Sequence, residues 1–166
     1  MANASFNLAE LNGSNGFVLN GINAYDGTGF SVSGAGDING DGFDDIIIGA
    51  PYADPNGQER AGSSYVVFGR AESFSASFAL STLDGSNGFV INGIDSGEIY
   101  QDDSGLTVFP GDLSGRSVSS AGDINGDGFD DLIIGARGAD PNGTDAAGES
   151  YVVFGKAEGF SATLDL

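Results

Sequence analysis

Apolar residues come along this chain in short bursts. Phe17-Val18-Leu19, Ile46-Ile47-Ile48, Tyr65-Val66-Val67-Phe68, Phe89-Val90-Ile91, Leu132-Ile133-Ile134 and Tyr151-Val152-Val153-Phe154 are each bounded by Gly, Asn or Asp within a few residues. Branched and aromatic side chains suit a pleated strand, and Gly, Asn and Asp suit the turns between strands. The pattern predicts strands near 16–21, 30–35, 45–49, 63–68, 88–93, 116–121, 131–135 and 150–154. The run 45–49 is apolar on both faces, as a strand covered on both sides must be. Between Gly69 and Gly88 lies a longer connection, whose Phe74, Phe78, Leu80 and Leu83 are expected on a sheet edge, with a brief helical turn near Leu80 to Leu83.

The bursts repeat. Asp37-Ile38-Asn39-Gly40-Asp41-Gly42-Phe43-Asp44-Asp45 returns letter for letter as Asp123 to Asp131, 86 residues on. Tyr65 to Gly69 returns at 151–155 and Asp54-Pro55-Asn56-Gly57 returns as Asp140-Pro141-Asn142-Gly143, with the same offset. Gly13 to Val18 returns at 85–90, only 72 residues on, so 14 extra residues lie between Ile94 and Ser117. The chain 1–166 therefore reads as a single all-β segment of two units. The first spans 16–68, with strand 16–21 offset ahead of it, and the second spans 88–154, with an insert at 95–115. Each unit offers four short strands, which points to four-stranded antiparallel blades of a propeller.

The nine-residue repeat carries the candidate chemistry. Oxygen-bearing side chains stand at positions 1, 3, 5 and 9, and a hard cation such as Ca²⁺ takes oxygen ligands. Gly42 and Gly128 at position 6 permit a sharp turn, after which the carbonyl of Phe43 or Phe129 faces the ion. An EF-hand would need a bidentate Glu at position 12, where Ile48 and Ile134 stand, and helices on both sides. The apolar run after the loop is instead a buried strand, so the loop joins two strands. Four carboxylates in nine residues repel one another until a cation neutralises them.

Composition narrows the classes. The chain has no Cys and no His, which removes thiol and imidazole chemistry, disulfides and a Ser-His triad. A net charge of −19 opposes nucleic acid and anionic membranes. The two loops hold eight of the 24 acidic residues, so two Ca²⁺ ions would leave the chain strongly negative, and the remainder reads as a solvated acidic surface. No stretch is long and apolar enough for a membrane span, and the first residues have no leader-like pattern. Adjacent acids such as Asp102 and Asp103 do not show the separation that glycoside hydrolysis requires, so the expectation is a protein that is not an enzyme.

The order Gly-x-Ser-Val, Gly-Asp, acidic loop, Gly-Ala-Pro resembles the FG-GAP repeat, which builds the β-propeller of integrin α-subunits and of many bacterial extracellular proteins. The family's Phe-Gly pair stands here as Thr28-Gly29 and Ser114-Gly115, and Gly49-Ala50-Pro51 becomes Gly135-Ala136-Arg137. The resemblance implies two Ca²⁺ sites per chain. One would use Asp37, Asn39, Asp41, Phe43 and Asp45, the other Asp123, Asn125, Asp127, Phe129 and Asp131. Asp44 and Asp130, at position 8, are expected to face away from the ion. The resemblance also implies an extracellular or cell-surface, bacterial location, a role in cell adhesion, and a protein or glycan ligand on the face opposite the calcium loops. A glycan-binding module or accessory domain of a secreted hydrolase is the alternative.

Two blades do not close a ring of roughly four to eight. The ring is expected to be completed by homo-oligomerisation, with a trimer as first choice over a dimer or tetramer, or by further sequence. Strand 16–21 and strand 150–154 would then pair with each other or with neighbouring chains. The loops 50–62, 94–116 and 136–149 share the face away from the calcium loops. On that face the insert offers Glu98, Tyr100, Asp102, Asp103, Phe109 and Asp112 as binding residues, and the Asp-Pro-Asn-Gly turns offer Asp54 with Asn56, or Asp140 with Asn142, as a weaker second cation site.

Overall fold

The computed structural model describes residues 7–96, 100–101, 107–108 and 111–166. Its strands are β1 (Val18–Asn20), β2 (Ser31–Gly36), β3 (Asp45–Ala50), β4 (Ser63–Val67), β5 (Ser77–Ala79), β6 (Gly88–Asn92), β7 (Tyr100–Gln101), β8 (Thr107–Val108), β9 (Ser117–Gly122), β10 (Asp131–Ala136), β11 (Glu149–Val153) and β12 (Thr163–Asp165). The only helical pieces among the described residues are single 3-10 turns, the one at Leu80–Thr82 falling where the sequence left room for it.

The first sheet has five strands in the order β12-β6-β4-β3-β2, and the second has three, β11-β10-β9. Inner strands run antiparallel, with Ile47 opposite Val66 and Ile133 opposite Val152. β2 and β9 each carry a bulge just before the acidic loop, where Gly36 and Gly122 take positive φ. A bulge adds twist and re-aims the chain, so the same device directs both loops.

Four short strands escaped the sequence pattern: the two-residue β7 and β8, which pair with each other in the insert, and β5 and β12. β5 and β12 each have three residues, run parallel to their partners, and lie in Ser- and Ala-rich stretches with little strand signal. β12 pairs with β6, which makes the first sheet five-stranded rather than four-stranded and partly parallel. β5 pairs with β1, as Val18 with Ser77, Leu19 with Phe78 and Asn20 with Ala79. Strand 16–21 therefore takes its partner from the Gly69–Gly88 connection, not from 150–154. β6 lies beside β4, so residues 88–92 complete the sheet of the first unit although the repeat groups them with the second.

The first sheet is apolar on both sides, which accounts for the unbroken run in β3. Ile47, Val66, Phe89 and Ile91 face the second sheet and close a core with Val118, Leu132 and Ile134. Ile48, Tyr65, Val67 and Leu80 face the other way and pack with Leu19, Phe74, Phe78 and Leu83. These aromatic and leucine side chains cover a sheet face instead of sealing an edge. Phe17 stacks on Phe74 at 4.1 Å between centroids, and the repeat-equivalent Phe89 stacks on Phe160 at 4.2 Å. Gly49 is required by this packing: a Cβ there would stand 1.8 Å from the carbonyl oxygen of Gly115.

Candidate metal centre

Each acidic loop is the tip of the hairpin that joins the first two strands of its sheet. Asp37 organises the first loop: its Oδ1 accepts from the N–H groups of Gly40 (2.8 Å) and Asp41 (3.0 Å), and its Oδ2 from Gly42 (2.9 Å). Asn39 Oδ1 accepts from the N–H of Asp41, Asn39 Nδ2 donates to Asp41 Oδ2, and Asp41 Oδ1 accepts from the N–H of Phe43. The second loop repeats this set with Asp123, Asn125 and Asp127. Alternate side chains thus turn inward onto the turn's own amides, as the spacing requires.

The ninth residue differs from the others in burial. Asp45 and Asp131 are buried at the root of the hairpin. Asp45 accepts from the N–H groups of Ile38 (3.1 Å) and Gly69 (2.8 Å), and Asp131 from those of Ile124 (3.0 Å) and Gly155 (2.9 Å). Burial pushes the Asp45 carboxyl up to about 7, and the charges of Asp41 and Asp37 push the same way, against the two N–H donors. A loop that gathers several side-chain oxygens around a buried carboxylate, with Asp37 and Asp41 repelling Asp45, fits a hard cation in donor chemistry and in charge. Among the described residues no three Asp or Glu side chains converge as a ready-made metal cluster.

At the eighth position Asp44 is exposed, while Asp130 turns from its own loop to the first one. Asp130 Oδ2 accepts from the N–H of Asp37 (2.9 Å), and the Asp130 N–H donates to the carbonyl of Asp37 (3.2 Å). The N–H of Lys156 donates to the carbonyl of Ile38 (2.9 Å). The second loop is thereby tied to the first, a contact that no local motif announces because it depends on how the two sheets stack.

The strand ends opposite the acidic loops carry the other candidates. Asp54 Oδ1 accepts from the N–H of Arg60 (2.8 Å), Asp140 accepts from the N–H of Ala146, and Asn56 and Asn142 take positive φ. Both Asp-Pro-Asn-Gly segments are thus turns closed by an Asp side chain six residues before the N–H it accepts, and Asn56 Nδ2 donates to Asp165 Oδ1 (3.3 Å). Glu98, Asp102, Asp103 and Phe109 of the insert lie outside the described residues, as does the side chain of Tyr100. Asp112 is buried, with its Oδ2 accepting from the N–H of Asp95 (3.0 Å), so it supports the insert's base. A polar cleft of about 200 Å³ on this side is lined by Asn23, Asp26, Asp54, Asn56 and Asn92. A second hollow, of about 580 Å³, is lined by Phe30, Arg116, Arg137 and Glu149, with the Arg116 guanidinium over the Phe30 ring at 4.8 Å.

The family described as FG-GAP repeat matches residues 28–67 and 114–153. Integrin alpha-5 of Xenopus laevis is 30% identical over 125 residues, which is 74% of this chain and 10% of that protein. Integrin alpha-IIb of Mus musculus is 32% identical over 123 residues, 74% of this chain and 9% of that protein. Integrin alpha-V of Gallus gallus is 30% identical over 122 residues, again 74% and 10%. The chain spans about a tenth of the length of these relatives. Among the described residues no helix is long and apolar enough to cross a membrane.

Proposed function

The chain is an FG-GAP repeat protein, and on that premise we propose that it is a calcium-binding β-propeller module without catalytic activity, a self-assembling scaffold for extracellular adhesion or ligand binding. The observation that carries the reading is the pair of acidic hairpin tips, one in each FG-GAP match, each rooted on a buried carboxylate. Asp37, Asn39, Asp41, Asp45 and the Phe43 carbonyl would hold one ion, and Asp123, Asn125, Asp127, Asp131 and the Phe129 carbonyl the other. Bound Ca²⁺ supplies positive charge that offsets the repulsion among these carboxylates. The chain's own part is to hold the hairpin tip in shape, through the N–H groups that Asp37 and Asp123 gather. The integrin relatives support a ligand-binding role, and the polar cleft opposite the loops supports that face as the site for a protein or glycan.

Calorimetric titration with Ca²⁺ and melting curves with and without chelator test the metal. A cation bound only by the folded chain stabilises it by about 2.7 kcal/mol per site at a hundredfold excess over Kd. The melting temperature is expected to fall on chelation, and Asp41→Ala and Asp127→Ala are each expected to remove one site from the titration. An unchanged melting curve together with no heat of binding would sink the reading.

A further inference from the structure

Repeat-equivalent residues in the two sheets have opposite fates. Ile38 is 0% exposed and its counterpart Ile124 is 56% exposed; Phe68 is 6% and Phe154 is 53%. Ile133 and Val152 are likewise open, where their counterparts Ile47 and Val66 are sealed beneath the second sheet. The asymmetry reverses on the other side of the chain: Val32 is 65% exposed, while its counterpart Val118 is 5% exposed against the first sheet. One end of the chain thus presents the surface that the second sheet covers internally, and the other end presents the surface that does the covering.

The strands tell the same story. β6 and β12 form the outer parallel pair of the five-stranded sheet, and β1 and β5 are their repeat equivalents, in the same register. β1 and β5 form a sheet of two with no inner strands, while β9, β10 and β11 form inner strands with no outer pair. Among the described residues β11 has β10 as its one neighbour. Two strands and three strands make the missing five.

We infer that a second copy of this chain docks head to tail, its β1–β5 pair extending the β11 edge and its Val32 face covering Ile124, Ile133, Val152 and Phe154. The inference rests on the propeller reading above and gives its self-assembly a specific interface. The internal β4–β6 register, carried over by the repeat, pairs Glu149 with Asn20, Ser150 with Leu19, Tyr151 with Val18, Val152 with Phe17 and Val153 with Gly16 of the second copy. The internal loop tie carries over too. Asp44 of the second copy takes the role of Asp130 and accepts from the N–H of Asp123, and the Arg70 N–H takes that of Lys156 and donates to the Ile124 carbonyl. Burial of a half-exposed apolar row together with pairing of an open strand edge is what drives such association. Because the two surfaces differ, the contact is heterologous and closes only as a ring.

Native mass spectrometry and light scattering on the chain and two variants test this. Val32→Asp charges the covering face and Val152→Asp the covered face, both at positions open to solvent in the single chain; Phe154→Glu replaces Val152→Asp if circular dichroism shows loss of fold. The unaltered chain is expected as a discrete closed assembly, and each variant alone as a monomer. An equimolar mixture of the two is expected to give a pair holding one of each chain and nothing larger, because each variant keeps one intact face. A monomeric unaltered chain would overturn the inference and leave the edge to a further repeat of a longer chain. So would a single variant that assembles normally, or a mixture that fails to pair while the unaltered chain assembles. Melting of the monomeric variants with and without Ca²⁺ reads the metal separately, so a calcium shift without assembly removes the docking and keeps the calcium site.

Discussion

In the first acidic loop Ile38 is sealed and its carbonyl accepts from Lys156, whereas in the second the same isoleucine, Ile124, lies in solvent. The nine residues are identical, so the difference owes nothing to local sequence. The second sheet stacks against the first loop, and nothing in the described chain stacks against the second. Burial here belongs to the neighbour a repeat happens to have, and the same letter carries a different energetic weight in each copy.

The widest separation between the two loops is expected from that isoleucine. Ile38→Ala removes apolar atoms from a packed core and is expected to cost about 2–5 kcal/mol, against well under about 1 kcal/mol for Ile124→Ala. Urea denaturation measures both, in a Val32→Asp background so that assembly does not cover Ile124. Equal losses would show that the loops are alike after all and that the stacking of the sheets is not what distinguishes them.

A smaller separation is expected at position 8. Asp130 ties its loop to the N–H of Asp37, while Asp44 is exposed. Asp130→Ala is expected to cost about 1–2 kcal/mol, a charged hydrogen bond partly offset by relief of repulsion among acids. Asp44→Ala is expected within about ±0.5 kcal/mol in the monomeric background. In the unaltered chain the same Asp44→Ala should weaken assembly. The substitution is silent within one copy and felt between copies.

How much of this could be read beforehand follows from range. The eight strands, the hairpin between them and the inward-facing Asp37, Asn39 and Asp41 depend on neighbours a few residues away, and alternation with turn chemistry exposes them. The Leu80–Thr82 turn is local as well. β5 and β12 are set instead by partners far along the chain, and their Ser, Ala and Thr residues have no preference strong enough to show. The tie from Asp130 to Asp37 and the burial of Ile38 but not Ile124 are stacking effects, invisible to any window on the sequence. The repeat offset of 72 against 86 did contain the key to the outer strands, since it pairs β1 with β6 as equivalents. It did not say which sheet either strand joins.

The smallest contrast lies at the foot of the insert, where Asp26 and Asp112 are equivalent buried carboxylates. Asp26 Oδ2 accepts from both the N–H and the side-chain amide of Asn23, each at 3.3 Å. At Asp112 the equivalent neighbour is Asp95, which offers its N–H but a negative charge in place of the amide. Burial raises the Asp112 carboxyl above its ordinary value of 3.8, and the charge of Asp95 adds to the rise. A carboxyl raised in the folded chain favours folding while protonated, and that contribution is lost as pH climbs through the folded pKa. Asp95→Asn, which copies Asn23, should therefore stabilise the chain at neutral pH by about 0.5–1.5 kcal/mol through one added hydrogen bond and one fewer repulsion. The gain should shrink as pH falls through the carboxylate range, where Asp112 is protonated in both proteins. Denaturation midpoints of the two proteins across that range measure it, and a gain independent of pH would mean that packing, not the Asp95 charge, separates the two sites.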